Sequence, residues 1–495
     1  MRGITTWVLG DQLSHDNPAL EDADRVLMIE SRTKLASGRF HRQKLHLVLS
    51  AMRHFAGELR GRGIEVDYRS APDYASGLRQ HVAAMEPGEV RLLRPTSVRA
   101  LEELGSLDRV EVIDETIFLT HPREFSEWAG EKTQLRMENF YRWQRKRLDV
   151  MMMPDGKPVG GQWNFDHDNR EPPPKDSRPP APYQPREDEI DAEVRRDLDA
   201  MGLDTFGEDA ARRWPATRDQ ARRALTRFVE QRLPDFGRWQ DAMLEGEQLM
   251  WHSHISSSLN LGLLDPREAV EAAVRALDDG HAPINAVEGF VRQIIGWREY
   301  VWGTYWHFAD RWDSDNALDA DTPLPEAFWT GETDMNCIRD GVRGLKRTAY
   351  AHHIQRLMLF GNLTMLLGVR PREALDYFHE SYIDGYEWVM APNVLAMATF
   401  ADGGRMFTKP YAAGGRYVNR MSDLCSGCRY DPTKRTGDDA CPFSTLYWDF
   451  LDRNKATLAG VRRMQMPYRT LEKMDEGELK EIRRRGRGLR ERLDA

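Results

Sequence analysis

The chain has little cysteine, no long apolar run and no surplus of positive charge. Four cysteines in 495 residues are too few to staple a disulfide scaffold. The opening MRGITTWVLGDQLS lacks the basic-then-apolar pattern of a secretory leader, so reduced thiols and a cytoplasmic location are expected. No stretch reaches the roughly 18 to 20 apolar residues of a membrane span, which argues against a membrane partner. A formal charge of -9 argues against wholesale coating of nucleic acid but leaves room for a local basic site. The glycine fingerprint for a dinucleotide is missing after the first strand-like run, and no internal repeat is evident. A chain of this length is expected to form about two to four domains, each with its own core.

What is present divides the chain. TTWVLG, RVLMIE, IEVDYR, VRLLRP and VEVID read as strands. Between the second and third, Leu45, Val48, Leu49, Met52 and Phe55 recur at helical spacing, so strands alternate with helices, as in a parallel sheet covered on both faces. From Pro154 to Pro185 lie 9 of the 26 prolines, which excludes a helix and reads as an extended linker. Beyond it helical patterns dominate. The expected architecture is an α/β doubly wound parallel-sheet domain over residues 1–130, a linker with a helix and a Pro-rich loop over 131–190, and a large all-α domain over 191–495. GGQWNFDHDNR, inside the linker, reads either as docking onto a domain surface or as a functional loop laid across a cleft. The tail IRRRGRGLRERL is a solvated basic helix or a weak phosphate contact.

The cysteines are unevenly placed. Cys425, Cys428 and Cys441 fall together, while Cys337 lies 88 positions before Cys425. A Cys-x-x-Cys pair with two further thiolates suits zinc or an iron-sulfur cluster, with Cys337 as a lone core thiol the third possibility. Spacing does not choose the metal.

Four further segments could carry chemistry. Gln293, Trp297 and Arg298 put an amide, an indole and a guanidinium within about one and a half helical turns, a set able to embrace a flat heteroaromatic ligand and pair a phosphate. WHSHISSSLNLGLL offers Ser253 and Ser256 to Ser258 ahead of an apolar helix, as caps or as a phosphate site. His352 and His353, about 100° apart on a helix, cannot both join the stripe of Leu357 and Phe360, so one is a candidate proton donor. FADGGRMFTKPYAAGGRYVNR interleaves Phe407, Tyr411 and Tyr417 with Arg405, Lys409, Arg416 and Arg420 among glycines, a pattern that grips unstacked nucleotides.

The ordered set GDQLS, GGQWNFDHDNR, NAVEGFVRQIIGWREY, MNC, YAHHIQRLM, GYEWVMAPNV, FADGG, TKPYAAGGRYVNRMSDLC and GDDACPF resembles the bacterial (6-4) photolyases, the iron-sulfur photolyase and cryptochrome-like family. The resemblance implies the photolyase/cryptochrome fold, FAD in the helical domain, UV-damaged DNA as partner, and a monomer. It implies that Cys337, Cys425, Cys428 and Cys441 ligate a four-iron four-sulfur (4Fe-4S) cluster and that Ser253, Ser256, Gln293, Trp297, Arg298, Asp384, Glu387 and Asn393 line FAD. It makes His353 the active-site histidine, entering as an imidazolium. Leu357, Met397, Tyr411 and Tyr417 would face the lesion, with Lys409 on the DNA. Asp166 and Arg170 would belong to the loop covering it, with Asp166 near a magnesium position. Trp329 matches the distant member of a family electron relay.

Two departures stand out. The family's lumazine antenna (6,7-dimethyl-8-ribityllumazine) uses an acidic side chain shortly after the second strand, where this chain has Lys34, although Glu30 remains. The relay's Trp-Tyr dipeptide is Tyr377 and Phe378 here, and Phe378 is a poor hopping station. The activity implied is light-driven reversal of (6-4) lesions by electron transfer from reduced FAD. A blue-light photoreceptor and a primase-like nucleic-acid binder are the competing readings.

Overall fold

The computed structural model describes residues 3–132, 134–174 and 178–492. Five parallel strands, β1 (Ile4–Trp7), β2 (Arg25–Ser31), β3 (Glu65–Ala71), β4 (Glu89–Leu93) and β5 (Val110–Ile113), form a sheet in the order β3-β2-β1-β4-β5. Thr6 of β1 stands opposite Val26 of β2 and Arg91 of β4. The first helices are α1 (Arg42–Gly61), α2 (Tyr74–Met85) and α3 (Val98–Gly105). Alternation along the strands sends Val26 and Met28 to the face packed with Leu45, Leu49, Met52 and Phe55 of α1. It sends Leu27 and Ile29 to the other face, with Leu78 of α2 and Leu104 of α3. Both faces are therefore covered, as the near-continuous apolar strands require. Asp73 accepts from the Ser76 backbone N–H at 2.6 Å and Ser97 from that of Ala100 at 3.2 Å, which satisfies orphan donors and fixes where α2 and α3 begin.

The remainder is largely helical. After α4 (Met137–Leu148) the described residues up to Asp188 hold only the short turns Val159–Gly161 and Asp166–Asp168. This accords with the proline content; residues 175–177 of that linker reading lie outside the described residues. The helices that frame the site are α5 (Glu189–Met201), α6 (Ser256–Leu261), α7 (Ile284–Val291), α8 (Glu299–His307), α9 (Asn336–Thr348), α10 (Pro371–Ser381), α11 (Gly415–Met421), α12 (Pro442–Arg453) and α13 (Glu476–Arg492). Three stretches, Arg292–Arg298, Gln355–Gly361 and Ala391–Ala398, are π-helical.

One core runs through both halves. Buried His46 and Arg212 converge on Asp191 of α5 at 3.2 and 2.8 Å. His41, at the start of α1, brackets the sheet to α9: its Nδ1 accepts from Gln43 N–H at 3.1 Å while Nε2 donates to the Leu345 and Lys346 carbonyls at 3.0 Å. Gly207 meets this ring at φ 79°, where a Cβ would lie 2.0 Å from His41 Nε2, so position and conformation both demand glycine.

Candidate active site

The helical half encloses a cavity of about 270 Å³. Each π-helical stretch contributes to its wall: Gln293, Trp297 and Arg298 from the first, Arg356 from the second, Asn393 and Met397 from the third. Hydrogen bonding from i to i+5 widens the turn, which brings residues four and five apart onto one side. Ser253 and Ser256, His353, Asp384 and Trp388 complete the wall. The structure thus brings Ser253, Ser256, Gln293, Trp297, Arg298, Asp384, Asn393, His353 and Met397 to one space. Glu387 is not among the lining residues; its carboxylate accepts from Tyr305 Oη at 3.0 Å.

The serines do not cap α6 as their sequence suggested. Ile255 occupies the cap without a side-chain bond, and Ser256 instead donates to Asp384 Oδ2 at 2.6 Å. Arg356 donates to both Asp384 oxygens at 2.8 and 3.1 Å. Arg298 donates once, to the Leu259 carbonyl at 3.1 Å; its buried Nε and Nη1 make no hydrogen bond, Nη1 lying 3.7 Å from Glu299 Oε1. Burial lowers its pKa to about 10 and raises that of neighbouring Glu299 to about 7. The positive charge of Arg298 on the cavity wall fits an anionic group, and Gln293, Trp297 and Asn393 beside it fit a flat ring with polar edges.

The adjacent histidines separate as expected, but not through helix periodicity, because the helix begins only at His353. His352 is fully buried, whereas His353 opens to the cleft. Desolvation, then the Arg356 guanidinium, lowers the His353 pKa, and the exposure of its ring to the cleft limits that shift. His252, unnoticed in the sequence beside the serines, also lines the cavity and stacks on His352 at 4.8 Å.

Leu357, Lys409, Tyr411, Tyr417, Asp166 and Arg170 lie outside this wall. Phe407 connects the loop to it, stacked on Trp297 at 5.9 Å and edge-on to Tyr411 at 5.7 Å. The charge of Arg170 acts on both Tyr411 and Tyr417, so these residues share one neighbourhood. Burial lowers the Lys409 pKa, with Arg463 adding to it. Asp166 pairs with Arg292 and, at 3.5 Å, with Arg170; burial opposes its ionisation, but these two cations hold its pKa down. So committed, it does not fit a magnesium site. Trp163 sits under Arg142, Arg145 and Lys146 at 5.4 to 5.6 Å. The linker loop is thus docked on α4 and also reaches the mouth of the cleft. Asp241, another residue the sequence did not reveal, has its pKa raised to about 6 by burial and feels Arg170 and Asp166.

All four cysteines are free and face one small enclosure with Met335, Val418, Leu424, Tyr430, Pro442 and Phe443. Burial, then neighbouring thiols, raises the pKa of Cys337 and takes Cys425 to about 12; burial takes Cys441 to about 11. No three of these described sulfurs lie within 4.8 Å of one another. A single tetrahedral zinc, with Zn–S of about 2.3 Å, would hold them about 3.8 Å apart. Asn336 Nδ2 donates to the Leu424 carbonyl at 3.0 Å, tying α9 to the Cys425 turn, and a Cβ on Gly415 would lie 2.8 Å from Cys441 Sγ.

Trp329 and Tyr377 touch at 5.0 Å between ring centres, but neither lines the cavity. In the sheet, buried Glu30 is taken by Arg53 at 2.9 and 3.2 Å and by Tyr68 at 2.6 Å. Lys34 nearby is exposed.

The chain is similar to known proteins in sequence and in fold. The family described as deoxyribodipyrimidine photo-lyase-related protein matches residues 6–214. The (6-4) photolyase of Agrobacterium fabrum is 40% identical over 98% of this chain and 99% of its own. The deoxyribodipyrimidine photo-lyase of Halobacterium salinarum is 27% identical over 33% of this chain and 37% of its own. In fold, a bacterial class III photolyase from Agrobacterium tumefaciens superposes with a TM-score of 0.56 at 15% identity, over 99% of this chain and 98% of the other.

Proposed function

The chain belongs to the bacterial (6-4) photolyase family, and we propose that it is a light-driven DNA repair enzyme that reverts (6-4) pyrimidine-pyrimidone photoproducts, with FAD seated in the cleft. The observation that carries this reading is the placement of His353 in one cavity with Arg298, Gln293, Trp297 and Asn393. FAD supplies, from its reduced form and on absorbing light, the electron that starts repair.

The chain's own residues do the rest. Arg298 would hold the pyrophosphate through its charge, while Gln293 and Asn393 would present amides to the ring. Arg356 and Ser256 fix Asp384 in the wall. A lesion must leave the duplex to reach His353, at a cost of a few kcal/mol that is lower for a damaged, poorly stacked base. Tyr411 and Tyr417 provide faces for it, and Arg170 and Lys409 provide charge for the backbone. His353 carries the proton. It gains proton affinity when phosphate charge arrives to offset Arg356, and it then protonates the lesion and favours group transfer over electron return.

The four thiols would hold a 4Fe-4S cluster of structural role. Support comes from an apolar enclosure in which four free cysteines meet with sulfurs too far apart for one zinc. Asp166 and Glu30, the carboxylates closest to the expected magnesium and lumazine positions, are paired with Arg292 and Arg53. Among the described residues no helix is long and apolar enough to cross a membrane.

The test is chemically reduced, flavin-loaded protein illuminated with blue light on an oligonucleotide containing one (6-4) lesion. Restored bases are expected. Flavin-loaded protein that binds the lesion yet never restores it in light would instead favour a photoreceptor.

A further inference from the structure

Trp388 stands on the cavity wall, and from it a line of aromatic rings leads away from the site. Its ring centre is 5.8 Å from Trp302, which is 5.6 Å from Trp306, which is 5.5 Å from Tyr305. Trp388, Trp302 and Tyr305 are almost fully buried, each at 1% exposure, while Trp306 is partly exposed. We propose that Trp388, Trp302, Trp306 and Tyr305 form an electron path between the cleft and the surface, with Glu387 as the base that takes the tyrosine proton.

Three features set its direction. Arg298 lies 5.0 Å over Trp388 and Arg94 5.2 Å over Trp306, so positive charge is disfavoured on both indoles and passes on to a residue that can shed a proton. Phe118 stacks flat on Trp302 at 3.8 Å and 2°, offering a π-face to a positively charged ring. The indoles cannot release a proton to a base: Trp302 Nε1 donates to the Thr120 carbonyl at 3.1 Å, and Trp306 Nε1 is buried without an acceptor. Tyr305 is different, because its hydroxyl donates to the Glu387 carboxylate at 3.0 Å and is fixed by the Val98 N–H at 2.9 Å. Tyr377 offers no such exit. Its hydroxyl meets only the Phe328 carbonyl, at 3.1 Å, and it does not line the cavity.

The step balances. Trp388 gives one electron to light-excited oxidised flavin and is refilled in turn from Trp302, Trp306 and Tyr305. As the phenol loses its electron, its O–H bond breaks and the proton moves to Glu387, leaving a neutral tyrosyl radical beside a carboxylic acid. A thiolate in solution then returns an electron across Trp306, Glu387 gives the proton back, and two thiyl radicals pair as a disulfide. This path rests on FAD occupying the cleft as proposed above.

The experiment illuminates oxidised, flavin-loaded protein without oxygen, freezes it and reads tyrosyl radical by electron paramagnetic resonance, then repeats the illumination with dithiothreitol and follows flavin reduction. Wild type and Tyr377→Phe should show the radical. Tyr305→Phe should lose it, and so should Trp302→Phe, which leaves the Tyr305–Glu387 pair in place. A radical that survives Tyr305→Phe, or one that disappears in Tyr377→Phe, overturns the path, as does wild type without any tyrosyl signal. Chemically reduced wild type repairing (6-4) DNA in that last case would show that the path had failed while the repair function stood.

Discussion

The cleft and the cysteine enclosure are built in opposite ways. The cleft wall is made within helices, by three π-helical stretches that widen locally and turn side chains inward. Its polar groups bond to one another or face the cavity, as Asp384 with Arg356 and the charge of Arg298 show. The cysteine enclosure is assembled from α9, the turn at Cys425 and the start of α12, with little polar bonding among its thiols. The first region holds its shape through its own packing and offers chemistry. The second, on the proposed reading, would be held by a cluster bound to its thiols, and that binding energy would be folding energy.

Breaking that contrast should show first at the cysteines. Cys425→Ala is expected to lose iron and sulfide and most of its soluble folded yield; a soluble, iron-free and fully active variant would contradict the assignment. His353→Ala should leave flavin bound while repair under blue light falls about 10²- to 10⁴-fold, measured on the (6-4) oligonucleotide. Asp384→Ala should cost about 3 kcal/mol by stranding Arg356, read as a lower melting temperature and poorer flavin retention with iron unchanged. Gly415→Ala presses a methyl group on Cys441 Sγ and should cost about 1 to 3 kcal/mol. Gly427→Ala, where nothing lies within 4 Å, should melt like wild type.

A further expected effect is on pH dependence and lies in neither region. Burial lowers the His41 pKa from 6.5 to about 4, so between those values the unfolded chain binds the proton that the folded chain refuses. Stability from this group is therefore full above 6.5 and is lost as pH falls toward 4. His41→Asn should flatten that part of the stability curve, measured by denaturant titration at several pH values.

Much of this was legible in the sequence. Short apolar runs marked five strands in their proper places, prolines marked the non-helical connection, and the motif set pointed to Ser253, Gln293, Trp297, Arg298 and His353, which share one cavity. Other features were hidden. A π-helical turn has no signature in a pattern read at 3.6 residues per turn, so the common wall of the three stretches was invisible. Glu387 sits three residues from Asp384 yet turns to Tyr305, because the chain enters a new helix there. Asp241 and His252 carry no local pattern, and their altered pKa values arise from elements distant in sequence.

By itself the sequence determined the sheet, the helices, the four thiols and the family, since local periodicity, proline and motif order are properties of the chain alone. Only the tertiary structure decided which atoms of Arg298 make no hydrogen bond, which cations pair with Asp166 and Glu30, and which tyrosine has a base for its proton. Those depend on distances between side chains brought together by packing, and no spacing along the chain encodes them.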